Sequence, residues 1–204
     1  MDLEKNYYFI RKLHSFFGIV PIGLFLTEHL LVNSSSLWGP NAYNQAVALL
    51  QKIPLLILVE LFIIILPIVF HALYGIWIVY VAKNNVLQYR YYRNWLFYLQ
   101  RVTAIITLIY VVYHVYTLRV AKSLFGLEIS FQTMSAVLSN PWVFAFYIIG
   151  LVASVYHFAN GLATFLITWG ITVGPFSQRA AVVMSGIIFV ALSFLGIQSL
   201  IAFT

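Results

Sequence analysis

The sequence predicts an all-α integral membrane protein with five transmembrane helices, and three observations carry that reading. Of the 204 residues, 63% are hydrophobic and only 8% charged, with a mean hydropathy of +0.95. A soluble domain carries about a quarter charged residues, so water is not the solvent for most of this surface. Five apolar runs are long enough to cross a hydrocarbon core of about 30 Å, which takes about 20 residues. The segments between them are short and punctuated by Gly, Pro, Asn and Ser, as loops are. Nothing in this layout suggests a second module, and residues 1–204 are read as a single membrane domain.

The predicted spans cover residues 13–32, 54–82, 95–118, 141–168 and 178–203. The first run is too long for the apolar core of a signal peptide and no clean cleavage site follows it, so it is read as a span. Asn33, Ser34–Ser36, Gly39 and Pro40 break the chain after it, and Lys83, Asn84, Asn85 and Arg90 break it after the second. Lys122, Gly126 and Glu128 mark the third loop, which ends at Asn140. Asn140–Pro141 predicts a capped helix start with proline in the first turn. Gly170, Gly174 and Pro175 separate the last two spans. Pro21 and Pro67 fall inside spans, where neighbouring helices can re-satisfy the freed backbone groups.

Charge gives the expected orientation. The net charge of +6 sits in short clusters between apolar runs, which fits membrane topology rather than nucleic-acid binding. The N-terminus and the even-numbered loops hold Lys5, Arg11, Lys12, Lys83, Arg90, Arg93, Arg101 and Arg179; the other side holds Lys52, Arg119 and Lys122. The positive-inside rule then puts the N-terminus in the cytoplasm and the C-terminus outside. Trp and Tyr concentrated at span ends form the interfacial belt in membrane lipid.

The chain has no cysteine, which removes disulfides, iron–sulfur clusters and thiolate haem ligation together. Any one-electron chemistry must therefore run through histidine. Four histidines lie inside spans: His29, His71, His114 and His157, spaced by 42, 43 and 43 residues. An ionisable residue at membrane depth is by default a functional candidate. Each lies about 16 to 20 residues into its span, or about 24–30 Å of helical rise. Alternate spans run in opposite directions, so His29 and His114 share the outer side and His71 and His157 the inner side. Two imidazoles from facing helices are what a six-coordinate b-type haem needs, and a bundle core is where such a group is housed. The expectation is four helices around two stacked b-type haems, with the fifth helix, which lacks histidine, beside them. A proton relay in a small transporter is the competing use of these histidines.

His71 and Gly75, and His157 and Gly161, form two H-x-x-x-G patterns that place a glycine one turn beyond each inner histidine. Such a glycine can clear a helix face for a porphyrin; the alternative is ordinary close packing of membrane helices. Gly23, Thr107 and Gly150 repeat the small-residue theme upstream of His29, His114 and His157. His14, beside Arg11 and Lys12, is read as an interfacial or partner-facing residue. Glu60 and Glu28 fall near the outer histidines; Glu60 is a candidate to carry protons for quinone chemistry or, alternatively, to pair with Arg119. Arg101, Lys83 and Arg93 on the inner side could neutralise propionates or face a cytoplasmic partner.

Several segments go further. FIRKLHS at residues 9–15, TEHLLVN at 27–33, ELFIIILPIVFHALYG at 60–75, AKNN at 82–85, YRNWLFYLQRVT at 92–103, YIIGLVASVYHFANG at 147–161 and TWGITV at 168–173 closely resemble the diheme cytochrome b subunits of Bacillus-type succinate dehydrogenases. The resemblance runs the length of the chain. It implies a five-helix anchor with two b haems that holds the flavoprotein and iron–sulfur subunits at the cytoplasmic face and passes their electrons to menaquinone. It puts His71 and His157 on the family's inner-haem ligands, His29 and His114 on its outer-haem ligands, and His14 on a position that is not an axial ligand. Glu28 stands where a neutral amide is expected. Succinate itself would be oxidised elsewhere, since no flavin or dicarboxylate motif is present. A diheme anchor for fumarate reductase or another quinone-linked dehydrogenase is the nearest alternative.

Overall fold

A computed structural model of the chain describes residues 3–204, with side chains from residue 6 onward. Among these residues the chain is helical without strands, and five helical spans are long and apolar enough to cross a membrane: Asn6–Trp38, Leu56–Val81, Tyr92–Phe125, Pro141–Thr168 and Pro175–Ile201. The expected fold class is borne out. The side chain of Lys5, counted above among the inner charges, lies outside the described residues.

The spans are longer and less regular than apolar runs suggest. The first is built from α1 (Leu3–Ile19) and α2 (Pro21–Asn33), so it begins about ten residues before the apolar run does. Pro21 has no N–H to give to the preceding turn, and the helix divides at Val20. A 3₁₀ turn, Ser34–Trp38, continues it until Gly39, whose φ of +93° ends the run in a conformation that favours glycine. The first loop then forms α3 (Pro40–Leu50), an element absent from the sequence reading.

The second span contains α4 (Leu56–Val59), a π-helical turn over Glu60–Ile65, and α5 (Leu66–Val81). Pro67 accounts for the wide turn: its ring crowds the carbonyl one turn back, and the π geometry moves that carbonyl aside. The third span is α6 (Tyr92–His114), a second π turn over Val115–Val120 that starts directly after His114, and α7 (Ala121–Phe125). The third loop forms α8 (Phe131–Leu138), capped by the Ser130 hydroxyl, which accepts from Thr133 N–H at 3.2 Å. The fourth span, α9 (Pro141–Thr168), starts as expected, with Asn140 Oδ1 accepting from Trp142 N–H at 2.9 Å. The fifth is α10 (Pro175–Ile201).

The fourth span is the central one. Tyr147, Leu151, Val155, Ala159 and Ala163 are buried along α9, which packs against α6 on one side and α10 on the other. It also meets α1, and α1 in turn packs on α5. Ties at the two ends show which termini share a side. At one end Lys12 Nζ donates to the Thr168 carbonyl at 2.6 Å, and Arg93 donates to Gln178 Oε1 at 3.1 Å. At the other, Ser36 Oγ donates to the Ser199 carbonyl at 3.1 Å, Tyr43 and Phe131 pack on Phe203, and Arg119 pairs with Glu60. The odd and even spans therefore alternate in direction, as the depth argument for the histidines requires.

Candidate functional site

The four in-span histidines come together as two pairs, each joining different spans. His71 on α5 faces His157 on α9, with ring centroids 6.1 Å apart and planes at 84°. His29 on α2 faces His114 at the end of α6, with centroids 5.8 Å apart and planes at 80°. The metal–nitrogen bond of an imidazole ligand is about 2 Å, and its ring centre lies about 1 Å further back, so two axial rings on one iron stand about 6 Å apart. Both pairs fit that requirement. Residues 14 and 29 of the first span, which mark the two levels, are separated by about 22 Å of helical rise.

The His71–His157 pair is held by the backbone. His71 Nδ1 lies 3.0 Å from the His14 carbonyl, and His157 Nδ1 lies 3.0 Å from the Gln100 carbonyl. A carbonyl can only accept, so in both rings Nδ1 carries the proton and Nε2 keeps its lone pair. This is how metal-binding histidines are usually oriented, with the second nitrogen donating to a neighbouring acceptor. In the His29–His114 pair His114 Nδ1 lies 3.4 Å from the Tyr147 hydroxyl, within an aromatic wall of Phe25, Tyr110 and Tyr147.

His14 lies deeper than an interfacial residue. Its ring stacks on His71 with centroids 4.0 Å apart and planes 7° from parallel, because it lies about two turns inside the span on the face that α1 turns toward α5. Two imidazoles face to face at that distance cannot both aim a nitrogen at one iron between them. The stack therefore fits the non-ligand position that the resemblance gave His14.

The glycines of the two H-x-x-x-G patterns have specific neighbours. A Cβ at Gly75 would stand 3.4 Å from His14 Nε2, and one at Gly161 would stand 3.4 Å from Gln100 Nε2. The space they leave thus admits polar side chains that surround the inner histidines. Upstream, the room at Gly23 is taken by Phe158 and that at Gly150 by Tyr110. Gly18 is the residue the sequence reading missed: a Cβ there would lie 2.5 Å from His71 Cε1. A signal was present, because His14 and Gly18 form a third H-x-x-x-G. Gln100 and Asn160 were missed as well; amides inside an apolar run, Asn160 buried and Gln100 half-buried, are the pattern that points to them.

Glu60 is bound rather than free. Arg119 Nη2 donates to its Oε2 at 2.5 Å and Nε at 3.2 Å, with the Glu60 side chain 21% exposed and that of Arg119 40%. The ion pair connects the π turn of the second span to that of the third. Glu28 is exposed on α2.

Residues 82–196 match the family model described as succinate dehydrogenase/fumarate reductase transmembrane subunit. The chain belongs to this family. It is also 47% identical over 203 residues, covering all of both chains, to the succinate dehydrogenase cytochrome b558 subunit of Bacillus subtilis. The resemblance read from the sequence segments is borne out along the whole length, and the membrane-spanning architecture agrees with the family description.

Proposed function

We propose that the chain is the membrane anchor of a succinate dehydrogenase that holds two b-type haems. His71 and His157 would hold the inner one, and His29 and His114 the outer one. The observation that carries this reading is the pair of inter-span histidine contacts at 6.1 and 5.8 Å, each at the separation one iron requires. The cytochrome b name of the relative supports it from a separate direction. When bound, the haems supply two one-electron carriers between partner subunits that oxidise succinate and a membrane quinone, menaquinone.

The residues of this chain do the rest. His14 and Gln100 carbonyls fix the tautomer of the inner ligands, so that Nε2 is presented to the metal without a change of protonation. The apolar lining of α2, α5, α6 and α9 keeps water from the electron path, lowering the local dielectric. The basic inner side, with Arg11, Lys12, Lys83, Arg90, Arg93 and Arg101, receives the flavoprotein and iron–sulfur subunits, and the N-terminus is cytoplasmic. Glu60, on the outer side, exchanges protons with menaquinone, and Arg119 holds its carboxylate in place. Gly75 and Gly161 complete the inner site by admitting His14 and Gln100.

Co-purification from membranes, followed by identification of the bound subunits and a dithionite-reduced spectrum, tests the proposal. The expected result is a flavoprotein, an iron–sulfur protein and a b-type α-band. A preparation without the α-band refutes the haem assignment and favours the proton-relay alternative.

A further inference from the structure

Two carboxamides lie within the membrane span at the level of the inner pair, where an unpartnered amide is costly. Both are engaged. Gln100 Nε2 donates to the His157 carbonyl at 3.0 Å, while His157 Nδ1–H donates to the Gln100 carbonyl at 3.0 Å. The two residues thus close a ring of reciprocal hydrogen bonds between α6 and α9. Asn160 Nδ2 donates to Gln100 Oε1 at 2.6 Å and to the Leu96 carbonyl at 3.2 Å, which fixes how the Gln100 side chain is turned. Gly161 leaves the room: a Cβ there would stand only 3.4 Å from Gln100 Nε2.

Amides that simply join membrane helices contribute little each and need no particular partner. Here both ends of one residue converge on His157. Gln100 holds its backbone oxygen through the side chain and its ring nitrogen through the main chain, so a change in the carboxamide is felt as rotation of the imidazole. A second bond from the ring N–H raises the basicity of a metal-bound histidine and tightens its hold on the metal. We propose that Gln100, oriented by Asn160, is a positioning residue for His157 that sets its strength as an axial ligand of the inner haem. This rests on the haem reading above.

The test is a redox titration of the b-type α-band in membranes carrying the assembled complex, comparing wild type with Gln100→Leu and Asn160→Ala. The component lost in His71→Ala identifies the inner haem. Gln100→Leu keeps the main-chain acceptor of His157 Nδ1–H but removes the side-chain bond to the His157 carbonyl that holds that acceptor in line. The Nδ1–H bond therefore weakens, His157 becomes a poorer donor, the ferric form loses stability and the inner potential rises. The expected shift is about tenfold in the ferrous/ferric ratio, or about 59 mV for a one-electron couple, with the outer component unmoved. Asn160→Ala shifts the inner component in the same direction by less. Wild-type potentials for both components in both variants would overturn the proposal and leave the amides as helix packing only. If Gln100→Leu does not assemble, Asn160→Ala, which keeps Gln100 and removes only the donor that orients its carboxamide, decides by the same criterion. A wild-type sample with no b-type component would instead overturn the haem reading itself.

Discussion

Gly18→Ala places a methyl group against the His71 ring. The new Cβ would stand 2.5 Å from Cε1 and 3.0 Å from Nδ1, whereas carbon atoms in contact prefer about 3.5–4.0 Å. The ring must therefore move by about 1 Å, yet it is held from two directions, by the 3.0 Å bond to the His14 carbonyl and by the 4.0 Å stack on the His14 ring. Overpacking of this kind costs about 1–3 kcal/mol, and loss of the hydrogen bond adds about 0.5–1.5 kcal/mol. Better helix propensity returns about 1 kcal/mol, so the net loss is about 0.5–3.5 kcal/mol, confined to the inner site. Haem content per chain and the reduced spectrum are the readouts. Gly18→Ala is expected to lose or weaken the inner haem while the outer haem stays at wild-type stoichiometry. Two haems at unchanged potentials in this variant would refute the claim that Gly18 and the His14 carbonyl fix His71.

Three further outcomes are expected. Glu60→Gln breaks the ion pair with Arg119 and is expected to keep both haems reducible by succinate while slowing transfer to an added menaquinone analogue by at least about tenfold; full quinone reductase activity would remove Glu60 from the proton path. Burial raises the Tyr43 phenol to about 12 in the outer cap against Phe131 and Phe203. The folded state then keeps a proton that the unfolded chain releases near its ordinary value of 10, so stability present below about pH 10 falls as pH rises toward 12. Tyr43→Phe flattens that alkaline loss in a thermal melt, and an unchanged pH profile would count against the buried phenol. Asn140→Ala removes the cap on α9 and should lower stability by about 1 kcal/mol, read as a lower melting temperature with both haems retained.

Much of the fold was readable because membrane chemistry leaves few options. Span number and the Asn140–Pro141 start of α9 came from apolar run length and cap chemistry alone. The histidine pairs came from residue spacing combined with alternating span direction, and the structure brings together the rings that share a depth. The helices α3 and α8 were missed because their Gly, Pro, Asn and Ser residues mark helix ends as readily as loops. The first and third spans extend past their apolar runs because interfacial helix needs no continuous hydrophobicity. The π turns, one shortly before Pro67 and one directly after His114, leave no mark in the hydrophobic periodicity. His14 was placed by its charged neighbours at the interface, although its face of α1 is set by Gly18 and by the approach of α5.

Haem stoichiometry across the four single histidine variants tests the central claim most directly. Wild type is predicted to carry two b-type haems per chain. His71→Ala and His157→Ala should lose the same spectral component, and His29→Ala and His114→Ala the other one. Loss of one shared component by His29→Ala and His71→Ala, or a wild-type chain with a single haem, would contradict the pairing.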